Sequence, residues 1–259
     1  MRLVRAELQK LFTTRLWWVM MLSMLAYAGL SLGVFIAFAG QAGQGGGPAL
    51  PSRDSLDFQR VIWGSGLSGA IFPMILGIVM MTSEYRYQTI TTTFLTTPRR
   101  ERVVAAKLGA GVLVGLLFGI AVMLLTALAV IPAVQLSGGS FAFTDPYVLR
   151  ATGAVPAALA LYTLFGIGLG ALIRNQIGAI LAAVGWVFIV EALLTAIPPL
   201  QPVGKWTPGG AANSLLATID VGFGASRLLP AWAGALVLAG YALVFAAVAS
   251  MTTIRRDVT

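Results

Sequence analysis

The chain contains neither histidine nor cysteine, so nine aspartates and glutamates supply nearly all of its capacity for acid–base or metal chemistry. That removes serine–histidine triads, imidazole relays, haem ligation, most metal sites, thiol nucleophiles and disulfides together. Asp54, Asp57, Asp145 and Asp220 fall in polar stretches and do not cluster. Aspartyl chemistry at membrane depth needs two facing carboxylates, and only Glu191 stands inside a long apolar run. The glycines at 43–47 invite a phosphate-loop reading, but no Gly-x-x-x-x-Gly-Lys-Ser/Thr follows, and Gly204-Lys205 runs into Trp206. No catalytic, cofactor or metal site is expected.

Glu191 is the exception that asks for a role. Counted from Ile177 at 1.5 Å per residue, it lies about 21 Å along its helix, towards the outer end. An ionisable residue at that depth is a candidate for a substrate path. The alternatives are a contact at the outer interface or within a dimer.

The elements that hold these residues follow from composition. The sequence is 58% hydrophobic and 10% charged, with mean hydropathy +0.88, whereas soluble domains carry about 25% charged residues. It predicts an all-α polytopic membrane protein, one domain over 1–259. The six spans expected are about 16–39, 61–82, 103–131, 149–173, 177–197 and 230–252. The first run is too long for a secretory h-region and long enough to cross a bilayer. Trp17 and Trp18 suit its interface. Residues 1–14 place Val4, Leu8, Leu11 and Phe12 on one helical face, with Arg2, Arg5, Glu7, Gln9 and Lys10 opposite, the pattern of an interfacial helix. A plain extension of the first span is the alternative.

Pro73 predicts a kink or local unwinding in the second span. Gly111, Gly115 and Gly119 recur every fourth residue of the third, a small-residue stripe for close helix packing. Lys107 is expected to protrude on the cytoplasmic side, and 132–147 to be a loop. Residues 211–219 read as a short helix, extracellular or re-entrant. The net charge of +8 comes from scattered residues that form no single patch, so no nucleic-acid partner is expected. Of the 17 basic residues, 12 fall on the side holding both termini and five on the other, which puts both termini in the cytoplasm.

Residues 84–107 separate two long apolar runs and hold five of the 17 basic residues. A helix over 84–97 aligns Tyr87, Ile90 and Phe94 on one face, and Pro98 stops it. Such a stripe suits docking into a groove on another protein. The alternative is a basic loop on anionic headgroups.

Glu84-Tyr-Arg86-Tyr-Gln-Thr, followed by Pro98-Arg99-Arg100 and Lys107, resembles the cytoplasmic segment of permease subunits of bacterial type-2 ABC (ATP-binding cassette) exporters. Gln88 stands where that family usually has glycine. The resemblance implies that 84–97 is a coupling helix seated on a separate ATPase, with Glu84, Arg86, Tyr87, Ile90, Phe94, Pro98, Arg99 and Arg100 at the contact. It implies ATP and Mg on that partner, a homodimer of permeases in the cytoplasmic membrane, and export of a hydrophobic or amphipathic substrate: lipid, drug or peptide. A non-transporting sensor or immunity protein coupled to an ATPase is the alternative.

Overall fold

The computed structural model describes residues 2–41, 50–87, 100–173, 175–216 and 228–254. Among them every regular element is helical. Five helical stretches are long and apolar enough to cross a membrane: Leu16–Phe38, Leu56–Arg86, Arg102–Leu136, Pro146–Ile173 and Gln176–Leu194. The protein is an all-α polytopic membrane protein.

The N-terminal helix α1 (Arg2–Phe12) precedes the first span, α2 (Leu16–Phe38). The second stretch is divided into α3 (Leu56–Gly64), a 3₁₀ segment (Ser65–Gly69) and α4 (Ile71–Arg86). The expected irregularity therefore lies just N-terminal to Pro73, in the first turn of α4. Proline has no N–H for the Gly69 carbonyl and its ring crowds that group, so the preceding turn tightens. The third span, α5 (Arg100–Leu136), is longer than its hydropathy suggests and passes straight through Pro132, so the following loop begins at 137. Membrane helices tolerate proline where neighbouring groups take up the freed carbonyl.

The central element is α6 (Pro146–Ile173), which packs against α4, α5 and α11 (Ala231–Ile254). Its start is well specified. Asp145 Oδ1 accepts from the backbone N–H groups of Tyr147 and Val148 at 3.0 and 3.2 Å, a carboxylate N-cap with proline at the first helical position. Arg60 Nη2 reaches Asp145 Oδ2 at 2.6 Å, fastening α3 to α6. The Arg60 hydrogen bond is the main cause that holds the Asp145 carboxyl below its ordinary value of 3.8.

Close approach at the centre depends on glycine. A Cβ on Gly115 or Gly119 would collide with the Cα of Ala160 or Pro156, and one on Gly111 would press on the Ile167 side chain. The stripe is thus the face by which α5 meets α6. From the other side, Gly166 of α6 lies against the Met74 carbonyl of α4. Without a hydrophobic force between helices in lipid, this contact supplies packing that larger side chains would prevent.

After α6 the chain turns into α7 (Gln176–Gly185), whose N-cap Asn175 accepts from Gly178 N. A π-helical turn (Trp186–Val190) then leads into α8 (Glu191–Ala196). A single α-helical turn, α9 (Gln201–Gly204), precedes the short helix α10 (Pro208–Leu216). It begins three residues before the expected 211, and α10 packs on α11.

Candidate functional site

Two places in the bundle gather ionisable groups. The first lies where α1, the end of α4 and the start of α5 meet. Lys107 is 3% exposed, and its Nζ donates to Glu7 Oε2 at 2.6 Å, Glu84 Oε1 at 3.1 Å and the Met80 carbonyl at 3.0 Å. Lys10 Nζ donates to Glu7 Oε1 at 2.6 Å and shares Glu84 Oε1 at 3.1 Å. Two carboxylates and two ammoniums thus alternate around one cluster, with Glu7 and Glu84 both buried.

Burial pushes the Glu7 carboxyl up, but the charge of Lys107 and the hydrogen bonds from both lysines outweigh it. The net position is below the ordinary 4.5. Burial likewise opposes the Lys10 ammonium, and its contacts to Glu7 and Glu84 raise it above 10.5. At neutral pH Glu7 and Lys10 are accordingly ionised.

Amphipathicity alone placed Glu7 on the solvent face of α1. In the structure it turns inward with Leu11, and Lys107, expected to protrude, is buried in the cluster. Burying charges is tolerable only when each is paired and hydrogen-bonded, a condition this arrangement meets.

Glu84 and Arg86 belong to the last turn of α4, which closes at Tyr87. Glu84 points into the cluster. Arg86 Nη1 donates to Gln176 Oε1 at 3.3 Å, tying α4 to the start of α7, and its guanidinium carbon lies 5.7 Å from the centre of the Tyr87 ring. Tyr87 is 68% exposed. Ile90, Phe94, Pro98 and Arg99 lie outside the described residues, and of Arg100 only the helical backbone is described. The segment expected to dock a partner therefore has both flanks, and not its centre, within the described structure. Those flanks are what Glu84 and Lys107 join.

The second place is Glu191. It stands where the π-helical turn gives way to α8, and its Oε1 accepts from Trp186 Nε1 at 3.0 Å and Gly209 N at 2.8 Å. A Cβ at Gly209 would overlap the carboxylate, so only glycine lets the start of α10 approach it. Glu191 also lines a cavity of about 470 Å³ bounded by α2, the 3₁₀ segment, α4, α6, the π-helical turn and α10. Tyr27, Phe72, Tyr162 and Phe188 contribute aromatic wall, and Ser68 and Asn213 contribute polar groups. Spacing in the sequence does not foretell this cavity. Its one advance signal is the carboxylate in an apolar run.

Among the described residues no group of three or more acidic side chains is arranged to hold a metal ion. The elements define a multi-pass helical membrane protein with a charged cluster at one end and a carboxylate-bearing cavity elsewhere. A family model described as ABC-2 family transporter protein matches residues 3–190, and the chain belongs to that family. It is the permease component of an ABC transporter, the membrane part and not the catalytic one, and the family works with an ATPase partner. No curated protein matches the chain. The family match ends one residue before Glu191.

Proposed function

We propose that the chain is the permease of an ATP-driven exporter in a bacterial cytoplasmic membrane, crossing it six times with both termini inside. It pairs with a second copy and docks a cytoplasmic ATPase through residues 84–107, with ATP and Mg held by that partner. Its substrate is hydrophobic or amphipathic.

The observation that carries this reading is the four-charge cluster. Lys107 clamps Glu84 and Glu7, so the two helix ends flanking residues 88–99 are fixed to each other and to α1. A displacement imposed on that segment by a partner would pass through paired, buried charges into α4 and α5. Both of these pack on the central α6. A headgroup-binding loop has no need of such a rigid base.

The stripe Tyr87, Ile90 and Phe94 supplies the contact. Truncating a central apolar anchor costs a few kcal/mol at a helix-in-groove interface, whereas binding to headgroups relies on arginines at about 1 kcal/mol each. Phe94→Ala should therefore abolish most co-purification with the ATPase and most stimulated ATP hydrolysis, while insertion and expression continue. Arg99→Gln with Arg100→Gln should do less. A fully coupled complex carrying Phe94→Ala would sink the docking assignment.

A further inference from the structure

We infer that the cavity bounded by α2, the 3₁₀ segment and α10 is a binding site for an uncharged lipophilic molecule with a hydrogen-bond-accepting oxygen. Tyr147 is the donor to that oxygen. To call the molecule a substrate rests on the exporter reading above; the binding site itself does not.

The starting point is a buried hydroxyl. Tyr147, in the first turn of α6, is 8% exposed, and among the described residues its Oη has no hydrogen-bond partner. A buried polar group left unpaired is destabilising, and few are found in folded proteins. Its position is informative. A Cβ on Gly64 would fall 2.5 Å from Tyr147 Oη, and Leu216 Cδ1 lies 3.9 Å from the same point. Gly64 and Leu216 both line the cavity of about 470 Å³, a volume suited to a small molecule. The hydroxyl therefore stands directly behind the cavity wall, where the last residue of α3 meets the last of α10. Glycine at 64 leaves it room, and the Leu216 side chain is the cover that a ligand turns aside.

The class of ligand follows from the donor, the walls and the route of entry. A phenol O–H is a neutral donor and is matched by a carbonyl, ether or hydroxyl oxygen. A lone water is a poorer fit, since it needs about three polar partners and Leu216 presents a methyl group there. Arg60, one turn before Gly64, is engaged by Asp145. Tyr27 of α2, Phe72 of α4, Tyr162 of α6 and Phe188 of the π-helical turn bring aromatic rings to the walls, surfaces that suit flat apolar groups. Tyr27 and Phe188 are exposed on two membrane spans, so the cavity opens to the bilayer. Entry from there selects uncharged molecules, because a charge is costly at membrane depth. Glu191 shares the wall and has its own partners, Trp186 and Gly209 among them; the recognition assigned here belongs to Tyr147.

The test is equilibrium binding to the purified full chain in phosphatidylcholine nanodiscs, with no ATPase present and uptake by protein-free discs subtracted. The probes are benzophenone and its diphenylethylene isostere, in which a CH₂ group replaces the carbonyl oxygen. Wild-type protein should bind benzophenone saturably and about fivefold more tightly than the hydrocarbon, the ratio expected for one hydrogen bond. Tyr147→Phe should erase that preference while changing the hydrocarbon's affinity less than about twofold. Without ligand, the same variant should melt at or above the wild-type temperature, because it deletes an unpaired group. Ser68 is exposed at the cavity lining, and Ser68→Trp should block both probes by filling the space. Absence of saturable binding, a preference that survives Tyr147→Phe, or binding that survives Ser68→Trp overturns the proposal. So does a lower melting temperature for Tyr147→Phe, which would mean that a water or another chain segment already pairs the hydroxyl. Co-purification with the ATPase is scored separately: probe binding without it would retain the site and remove the docking assignment.

Discussion

At the junction of α1, α4 and α5, two carboxylates meet two ammoniums at 2.6–3.1 Å, and the charges balance. Beside the cavity, Glu191 accepts from an indole and a backbone amide. The two places pose the same problem, an acid in a chain of 10% charged residues, and resolve it differently. In the first, charge is consumed in joining elements distant in sequence: Glu7 and Lys107 are separated by 100 positions. In the second, the carboxylate is hydrogen-bonded to two groups close in sequence or on the short helix α10, at the wall of a cavity. The difference separates a clamp from a candidate binding group, and it can be broken experimentally by removing charge from each.

The largest effect should come from Lys107→Met. It leaves Glu7 and Glu84 buried with Lys10 alone to compensate, and it deprives the Met80 carbonyl of a donor. Breaking a buried pair by removing one partner costs about 3–5 kcal/mol. A loss of that size should appear as a markedly lower unfolding temperature in detergent and poor membrane yield. Adding Glu7→Gln should recover part of it, because neighbouring charges are not additive. A single variant as stable as wild type would show that the cluster is not a clamp.

Acidification is a gentler way to open the same junction. Glu7 sits below its ordinary 4.5 in the folded chain, so the stability it contributes is fully present above that value and is lost as pH falls through its depressed native value. Lys10 runs the other way: raised above 10.5, its contribution is intact at neutral pH and lost as pH climbs past the raised value. Between these limits both contributions are present. Spin labels on Ala6→Cys and Ala105→Cys, both exposed positions of a cysteine-free chain, should give one narrow distance at pH 7. The distribution should broaden well below pH 4.5 as α1 detaches. An unchanged distribution at pH 3 would show that apolar contacts, Leu11 among them, hold α1 unaided.

How much of this is legible in the sequence depends on whether the signal is local. Apolar runs define the spans because each is a property of consecutive residues. The stripe at Gly111, Gly115 and Gly119 announces a close packing face, but not that α6 fills it, since Ala160 and Pro156 lie some forty residues on. The inward turn of Glu7 is hidden for the same reason. Amphipathicity assigns a polar residue to water unless its distant partner is known, and Lys107 supplies that partner only in three dimensions. A weak signal exists: Glu7, Glu84 and Lys107 are three charges near the ends of apolar helices, where a mutual contact is cheaper than separate burial. The tight segment before Pro73 is announced by the proline, a local signal of the same kind as the apolar runs. The π-helical turn has no comparable mark in Trp186–Val190, and the cavity is assembled from elements that no spacing rule relates.

The smallest effect sharpens the comparison most. Glu191→Gln removes one charge and retains an oxygen that can accept from Trp186 Nε1 and Gly209 N. Two contributions oppose each other. Charge-assisted hydrogen bonds are stronger than neutral ones by roughly 1 kcal/mol, so the two bonds weaken. Against that, a half-buried carboxylate no longer has to be kept from water, which relieves desolvation of similar size. The net change in stability should stay within about 1 kcal/mol, measured as an unfolding midpoint in detergent close to wild type. The same exchange at Glu7 should cost several times more, because there it deprives two lysines of a shared acceptor. If Glu191→Gln proves as destabilising as Glu7→Gln, then its charge also belongs to the scaffold, and the distinction between clamp and binding group collapses. If it is nearly silent in stability, the carboxylate is retained in a membrane span for something other than folding.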